Sequence, residues 1–352
     1  MNRSRQNRFK VVLPLALSGE SAKYPQKFRE LGADFTGQRC ESDEDFIALA
    51  RDADAIITVG SIRPVPGKII AHLEKCRLIS NTQIGYDSID TAAATERGIL
   101  VTNVPDYCVG EVSDHAMALI LACTRKVVRL NDSARKGQWG LSGDNAEIQS
   151  QVWPRMTRLE GQTLGLFGFG RVARSLAPKA RGFGLRIIAH DPYVAPEAAQ
   201  QMGVSMVEWQ RLLNESDFIS IHAALTAETR RIFSHDAFNE MKPTACLINT
   251  ARGGFVDEAA LFQALTEGKI AMAALDVMDP EPPDPGSSLF TLENFISTAH
   301  SAFFSPDSEA ERWHRPVLEV ARVMRGEWPK AVVNPDAKEK YIARWGQMKE
   351  PA

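Results

Sequence analysis

Cysteine is scarce and unpatterned. Five occur in 352 residues, at positions 40, 76, 108, 123 and 246, and no two form a C-x-x-C pair. That speaks against a disulfide framework and a cysteine zinc site, and for reduced thiols in a cytoplasmic setting; no metal is expected. No run reaches the roughly 18 apolar residues of a membrane span. The first ten residues carry Arg3, Arg5, Arg8 and Lys10, but no apolar segment long enough for a signal peptide follows. The reading there is a disordered lead. A formal net charge of −3 gives no basic excess, so nucleic acid is not expected as a partner. Internal repeats and low-complexity segments are absent as well.

What is present is ordinary globular material: 44% hydrophobic and 24% charged residues, in a chain long enough for about two domains. From Phe9 onward, short β-rich runs alternate with helical segments, the pattern of parallel sheets covered by helices. Strands are expected at Val11–Pro14, Ala55–Val59, Leu78–Ser80 and Ile99–Asn103 in the first part. In the second they are expected at Thr163–Phe167, Leu185–Ala189, Phe218–His222, Cys246–Thr250, Ala271–Asp276 and Phe295–Ala299. Helices are expected at Val65–Lys75, over one long segment from Gly110 to about Lys136, at Met206–Asn214, and finally at Ser305–Gly326. Residues 137–158 break the alternation and read as an irregular arm. Ser42, followed by Asp43, Glu44 and Asp45, reads as a helix N-cap with favourable charge in the first turn.

The most informative stretch begins at Thr163. An apolar strand runs into Gly168-Phe169-Gly170-Arg171-Val172-Ala173, a helix follows, and a second strand closes on Asp191. Gly168 permits a tight turn. Gly170, lacking a Cβ, lets the backbone approach a pyrophosphate at the helix N-terminus. Ala173 allows helix and strand to pack closely, and Asp191 lies 21 residues beyond Gly170, where an acid can bind the adenosine ribose diol. A carboxylate there, with no Arg or Lys close behind, favours NAD over NADP.

Three further motifs end strands in the same region. Arg252 sits within Asn249-Thr250-Ala251-Arg252-Gly253-Gly254, and its guanidinium offers a planar fork for a carboxylate. Asp276 closes a strand, and Glu281 stands between two prolines shortly after it. His300 ends the next strand. Reduction of a 2-oxo acid requires an anchor for its carboxylate and a proton donor for its carbonyl; His suits the second task, and a nearby Glu favours the imidazolium. The other histidines read as packing residues, although His190 and His222 end strands near the cofactor path.

On Gly85-Tyr86-Asp87-Ser88-Ile89-Asp90, the glycine loop, Leu225-Thr226 with Glu228-Thr229, Asn249 to Gly253, Val256-Asp257-Glu258, Ala274 to Val277, Glu281-Pro282 and His300, the chain resembles the D-isomer-specific 2-hydroxyacid dehydrogenases from Val11 to about Asn334. Val104 to Cys108 and His300 to Ser305 look most similar to the branch containing the C-terminal binding protein corepressors. The resemblance implies two Rossmann-like α/β domains with parallel sheets, the nucleotide domain (109–302) inserted into a substrate domain (9–108 and 303–352), and a homodimer. It further implies that Arg252 binds the substrate, that His300 is the acid/base and that Glu281 tunes it. Asp276 and the backbones of Thr250 and Ala251 would meet the nicotinamide, and the N–H groups of Ile84 and Gly85 would hold the substrate carboxylate. Departures are Gln83 and Ala299, where the family has Gly and Pro, Phe303, where the corepressor-like branch often has Trp, and Ala224 for a further Pro. The expected activity is NAD-dependent interconversion of small 2-oxo and 2-hydroxy acids. An NAD(H)-sensing corepressor-like scaffold is the alternative, and action on formate or phosphite a third reading.

Overall fold

The computed structural model describes residues 8–141 and 145–351. The expected disordered lead, with Arg3 and Arg5, lies outside them, as do residues 142–144 of the arm. The chain folds as two compact units: one holds the residues up to Tyr107 and those from Ser305 onward, the other Cys108–Phe304.

In the first unit, strands β1 (Lys10–Leu13), β2 (Asp34–Gly37), β3 (Ala55–Thr58), β4 (Leu78–Asn81) and β5 (Leu100–Thr102) form one parallel sheet in the order β2-β1-β3-β4-β5. β3 and β4 are buried throughout, as a parallel sheet covered on both faces requires. One face packs on Tyr24, Phe28 and the helix Pro306–Met324 through Trp313, Val317 and Val320. The other packs on Phe46, Ile69 and Ile70. β2 was not legible in the sequence. It is an edge strand of four residues containing Asp34 and Gly37, partnered only by β1, so neither propensity nor burial marks it. The helix expected over Val65–Lys75 is confined to Gly67–Ile70, and a helix at Lys338–Trp345 follows the one expected to be last. Ser42 caps its helix in a full capping box with Asp45.

The second unit contains β6 (Thr163–Phe167), β7 (Arg186–His190), β8 (Ser205–Met206), β9 (Phe218–Ile221), β10 (Cys246–Asn249), β11 (Met272–Leu275) and β12 (Phe295–Ser297). They form a parallel sheet in the order β12-β11-β10-β9-β6-β7-β8. Its first six strands in chain order reproduce the 3-2-1-4-5-6 arrangement of dinucleotide-binding sheets, with the order reversing between β6 and β9. Apolar cores cover both faces. The segment expected as a helix from Met206 opens instead as the edge strand β8, and its helix begins at Trp209. The long helix from Gly110 is two, Val109–Arg125 and Val127–Arg135, broken where Lys126 takes a left-handed φ of 54°. The Lys126 ammonium turns inward to Met272 Sδ at 2.7 Å, and burial holds it below its usual pKa.

Candidate active site

The glycine turn sits where the strand order of the second unit reverses. Gly168 has φ 88°, and a Cβ there would lie 2.5 Å from Ala223 N and 2.8 Å from His222 C, just beyond β9. The turn after β6 can therefore pack against the turn after β9 only because residue 168 is glycine. Gly170, the N-cap of helix Arg171–Gly182, has open space where its Cβ would be and makes no side-chain cap. A helix N-terminus at such a turn is where an anion is favoured. Asp191 secures the arrangement: one oxygen accepts from Phe169 N at 2.8 Å, the other from Tyr193 N at 2.9 Å. Ala173 is fully buried beneath the turn. These residues fit a dinucleotide. Among the described residues Thr250 Oγ1 has no hydrogen-bond partner; it is buried just after β10, at the same end of the sheet's strands.

The turn after β10 is built by its own polar residue. The Asn249 side chain donates to Arg252 O and accepts from Ala251 N, at 2.8 and 3.0 Å, so residues 250–252 are wrapped around it. Arg252 Nη1 donates to Ala251 O. Next to it, Gly253 lies so close to the turn after β11 that a Cβ would stand 2.0 Å from Met278 C and 2.1 Å from Met278 O. That close approach puts the Arg252 turn beside the one bearing Glu281. Glu281 accepts from Met278 N at 3.1 Å and, with its other oxygen, from His300 Nδ1 at 2.6 Å. Burial pushes the Glu281 carboxyl up; the His300 hydrogen bond and charge, the Met278 N–H and the Arg252 charge outweigh it and hold the carboxyl below its ordinary value. With Nδ1 committed to a carboxylate, His300 carries its proton there, which leaves Nε2 as the exchangeable nitrogen. Phe303 packs edge-on against the imidazole at 6.0 Å.

The backbone that delivers His300 is strained. Ala299 and His300 have φ of 53° and 54°, left-handed values that cost a residue with a Cβ about 1–2 kcal/mol each. Asp276, only 2% exposed, compensates: its carbonyl accepts from His300 N, and its carboxylate accepts from Thr298 Oγ1, Ser301 N and Ala302 N. The same side chain is the one expected to meet the nicotinamide amide.

In the first unit, the turn after β4 shows a simple peptide logic. The carbonyls of Gln83, Ile84 and Gly85 accept from Val104 N, Asn103 Nδ2 and Asn81 Nδ2 at 3.1, 2.7 and 2.6 Å. In trans peptides the next N–H points opposite to each carbonyl. The Ile84 and Gly85 N–H groups therefore face away from the unit's own donors and make no hydrogen bond among the described residues, a backbone concavity suited to a carboxylate. Gln83 replaces the family's glycine and has a job: its amide accepts from Ser61 N at 2.9 Å and donates to Ser61 Oγ at 2.8 Å. His190 and His222 pack, the former on Val207 O and the Phe167 ring, the latter on Ser220 Oγ. Burial pushes His222 down to about 3. The roles of Asn249, Asn81, Asn103, Ser61 and His115 were not legible; strand-terminal Asn, three times over, was the available signal.

A dinucleotide cradle at a sheet's switch point, joined to a carboxylate-backed histidine and an arginine on later strands of the same sheet, defines a nicotinamide-dependent oxidoreductase. Residues 117–302 match the family model for the NAD-binding domain of D-isomer-specific 2-hydroxyacid dehydrogenases. The chain is 38% identical over 291 residues to the glyoxylate reductase of Thermococcus litoralis, covering 81% of this chain and 85% of that protein. It is 37% identical over 292 residues to the D-3-phosphoglycerate dehydrogenase of Methanocaldococcus jannaschii, covering 83% of this chain but about half, 53%, of that enzyme. Among solved structures, a glyoxylate reductase from Paecilomyes thermophila superposes with a TM-score of 0.82 at 26% identity, covering 93% and 98% of the two chains. The chain belongs to the D-isomer-specific 2-hydroxyacid dehydrogenase family.

Proposed function

We propose that this protein is an NAD(H)-dependent reductase of small 2-oxo acids, forming the D-2-hydroxy acid. The observation that carries the reading is the 2.6 Å pair between His300 Nδ1 and Glu281, which leaves Nε2 to exchange a proton. The bound cofactor supplies the hydride. His300 Nε2 donates a proton to the substrate carbonyl oxygen in reduction and takes it back in oxidation. Glu281 stabilises the imidazolium that the reducing direction requires. Arg252 polarises the carbonyl and orients the carboxylate, and the Ile84 and Gly85 N–H groups of the first unit form a backbone cradle of the kind that binds a carboxylate. Gly168 to Val172 approach the pyrophosphate, Asp191 the adenosine ribose, and the Thr250 and Ala251 backbones the nicotinamide end. An acid/base, an anion anchor and a cofactor cradle are what the chemistry needs.

The relatives named above carry enzyme names, which favours catalysis over the corepressor-like scaffold. We also propose a homodimer joined through the second unit. Val127, Val128, Trp139, Leu141 and Trp153 are all exposed there, an uncommon concentration of large apolar side chains for a free surface. Loss of NADH absorbance with a panel of glyoxylate, hydroxypyruvate, pyruvate and longer 2-oxo acids tests the activity, with His300→Ala as control. Turnover surviving in that variant removes the assignment. Sedimentation of the apoprotein tests the dimer, and a monomer across the micromolar range removes it.

A further inference from the structure

We propose that His115 and Thr298 are positioning residues for His300, acting through the Asp276 carboxylate. The proposal rests on the reading of His300 as the acid/base. His115 lies on the helix Val109–Arg125, Thr298 immediately after β12, and Asp276 immediately after β11, all in the second unit. Thr298 Oγ1 is 2.6 Å from Asp276 Oδ1 and 2.8 Å from His115 Nε2. His115 Nε2 is also 3.7 Å from the same Asp276 oxygen.

The directions of these bonds follow from the donor inventory. A hydroxyl has one proton. The carboxylate can only accept, so that proton goes to Asp276. Thr298 Oγ1 must then accept from His115, whose Nε2 carries hydrogen. The chain runs one way: His115 to Thr298 to Asp276. From the other side, Ser301 N at 2.8 Å and Ala302 N at 3.0 Å donate to the two oxygens of the same carboxylate, while His300 N donates to the Asp276 carbonyl at 2.6 Å. Asp276 is thus gripped on both flanks of the left-handed pair Ala299-His300. Ala299 stands where the family carries proline, whose ring fixes φ near about −65° and could not take the 53° seen here, so hydrogen bonds supply the constraint on this turn. Without Thr298, the Asp276 oxygen loses its shortest donor and the turn loses its link to the helix. His300 Nε2 then samples positions away from the substrate oxygen, and a displacement of that kind lowers turnover without weakening cofactor binding.

Thr298→Val keeps the shape of the side chain and removes the hydroxyl. We expect kcat for 2-oxo acid reduction to fall about ten-fold or more, with KM for NADH within about two-fold of wild type. Thr298→Ser should recover most of the loss, and His115→Phe should reproduce it. A readout independent of turnover is nitrogen NMR of histidine-labelled apoprotein. His115 should report the Nε2–H tautomer in the wild type and lose that fixed signature in Thr298→Val. If His300→Ala abolishes turnover while Thr298→Val and His115→Phe leave kcat unchanged, the positioning proposal fails and the acid/base reading stands. If His300→Ala is active, the underlying reading fails instead. A His115 signal showing the Nδ1–H tautomer in the wild type overturns the proposal without reference to activity.

Discussion

His300 Nδ1 and Glu281 Oε2 stand 2.6 Å apart, although the two residues belong to turns after different strands. Glu281 serves a second master, the Met278 N–H, so its carboxylate is fixed before the imidazole meets it. Its folded-state pKa lies below the ordinary value of 4.5. A carboxyl depressed in the native state adds stability that is fully present above its ordinary value and lost as pH falls through the lower, folded value. Glu281 therefore stays charged through the whole neutral range, and its own titration cannot shape activity there.

Glu281→Gln removes the charge and one of two acceptors: its amide oxygen can still accept from His300 Nδ1, while its NH2 group then faces Met278 N. The imidazolium that reduction requires then loses the carboxylate charge that faces it. Reduction near pH 7.5 should slow accordingly. A kcat/KM profile over pH 5–9 that superposes on the wild type would show that the carboxylate's charge has no part in the reaction.

Gly253→Ala asks whether the approach of two turns is obligatory. The new Cβ would lie 2.1 Å from the Met278 carbonyl oxygen and 2.6 Å from Asp279 N, and backbone atoms cannot rotate aside. We expect a loss of about 1–3 kcal/mol in denaturant unfolding and a larger proportional loss of kcat, since Arg252 and Glu281 flank the strain. A variant as stable and active as wild type would mean the two turns part easily.

The architecture was legible because burial on both sheet faces forces short, largely apolar runs at β3, β4, β6, β9, β10 and β11. The edges were not. β2 and β8 are short, half solvated and polar, so local sequence carries little of their pairing. Arg252, Glu281 and His300 could be named from strand ends. Their support could not, because Asp276, Thr298 and His115 are brought together by tertiary packing over 183 residues of separation between the last two. No spacing rule joins a helix face to a strand end so far away.

Gln83 tests how the substrate turn is held. Its amide makes both hydrogen bonds with Ser61, tying the loop after β3 to the turn that presents the Ile84 and Gly85 N–H groups. Gln83→Ala removes two neutral hydrogen bonds worth about 1 kcal/mol each, which corresponds to a rise of roughly five-fold or more in KM for the 2-oxo acid. KM for NADH should not change. The nearest cation on that loop, Arg63, is already paired with Asp43 and donates to the Ser42 carbonyl. The first unit thus offers neutral groups at this turn, and a phosphorylated 2-oxo acid should be a poorer substrate than glyoxylate or hydroxypyruvate. A KM for the 2-oxo acid unaffected by Gln83→Ala, or a preference for the phosphorylated acid, would refute this view of the turn.

Asp191 combines two duties, and a substitution can separate them. Its Oδ2 accepts from Phe169 N inside the glycine turn, while the carboxylate as a whole supplies the charge at the end of β7 that would repel a 2′-phosphate. Asp191→Asn keeps an oxygen for Phe169 N and removes the charge; Asp191→Ala removes both. If the carboxylate's main contribution is electrostatic, Asn and Ala should raise KM for NADH alike and improve NADPH relative to NADH in both. If the tie to Phe169 matters as well, Ala should exceed Asn in its effect on NADH by about 1 kcal/mol, or roughly five-fold in KM. The 2.8 Å bond leads us to expect the second pattern, with the glycine turn loosened only when its acceptor is gone. Steady-state KM values for both dinucleotides in the two variants decide it. Wild-type discrimination against NADPH in Asp191→Ala would remove this residue from cofactor selection altogether.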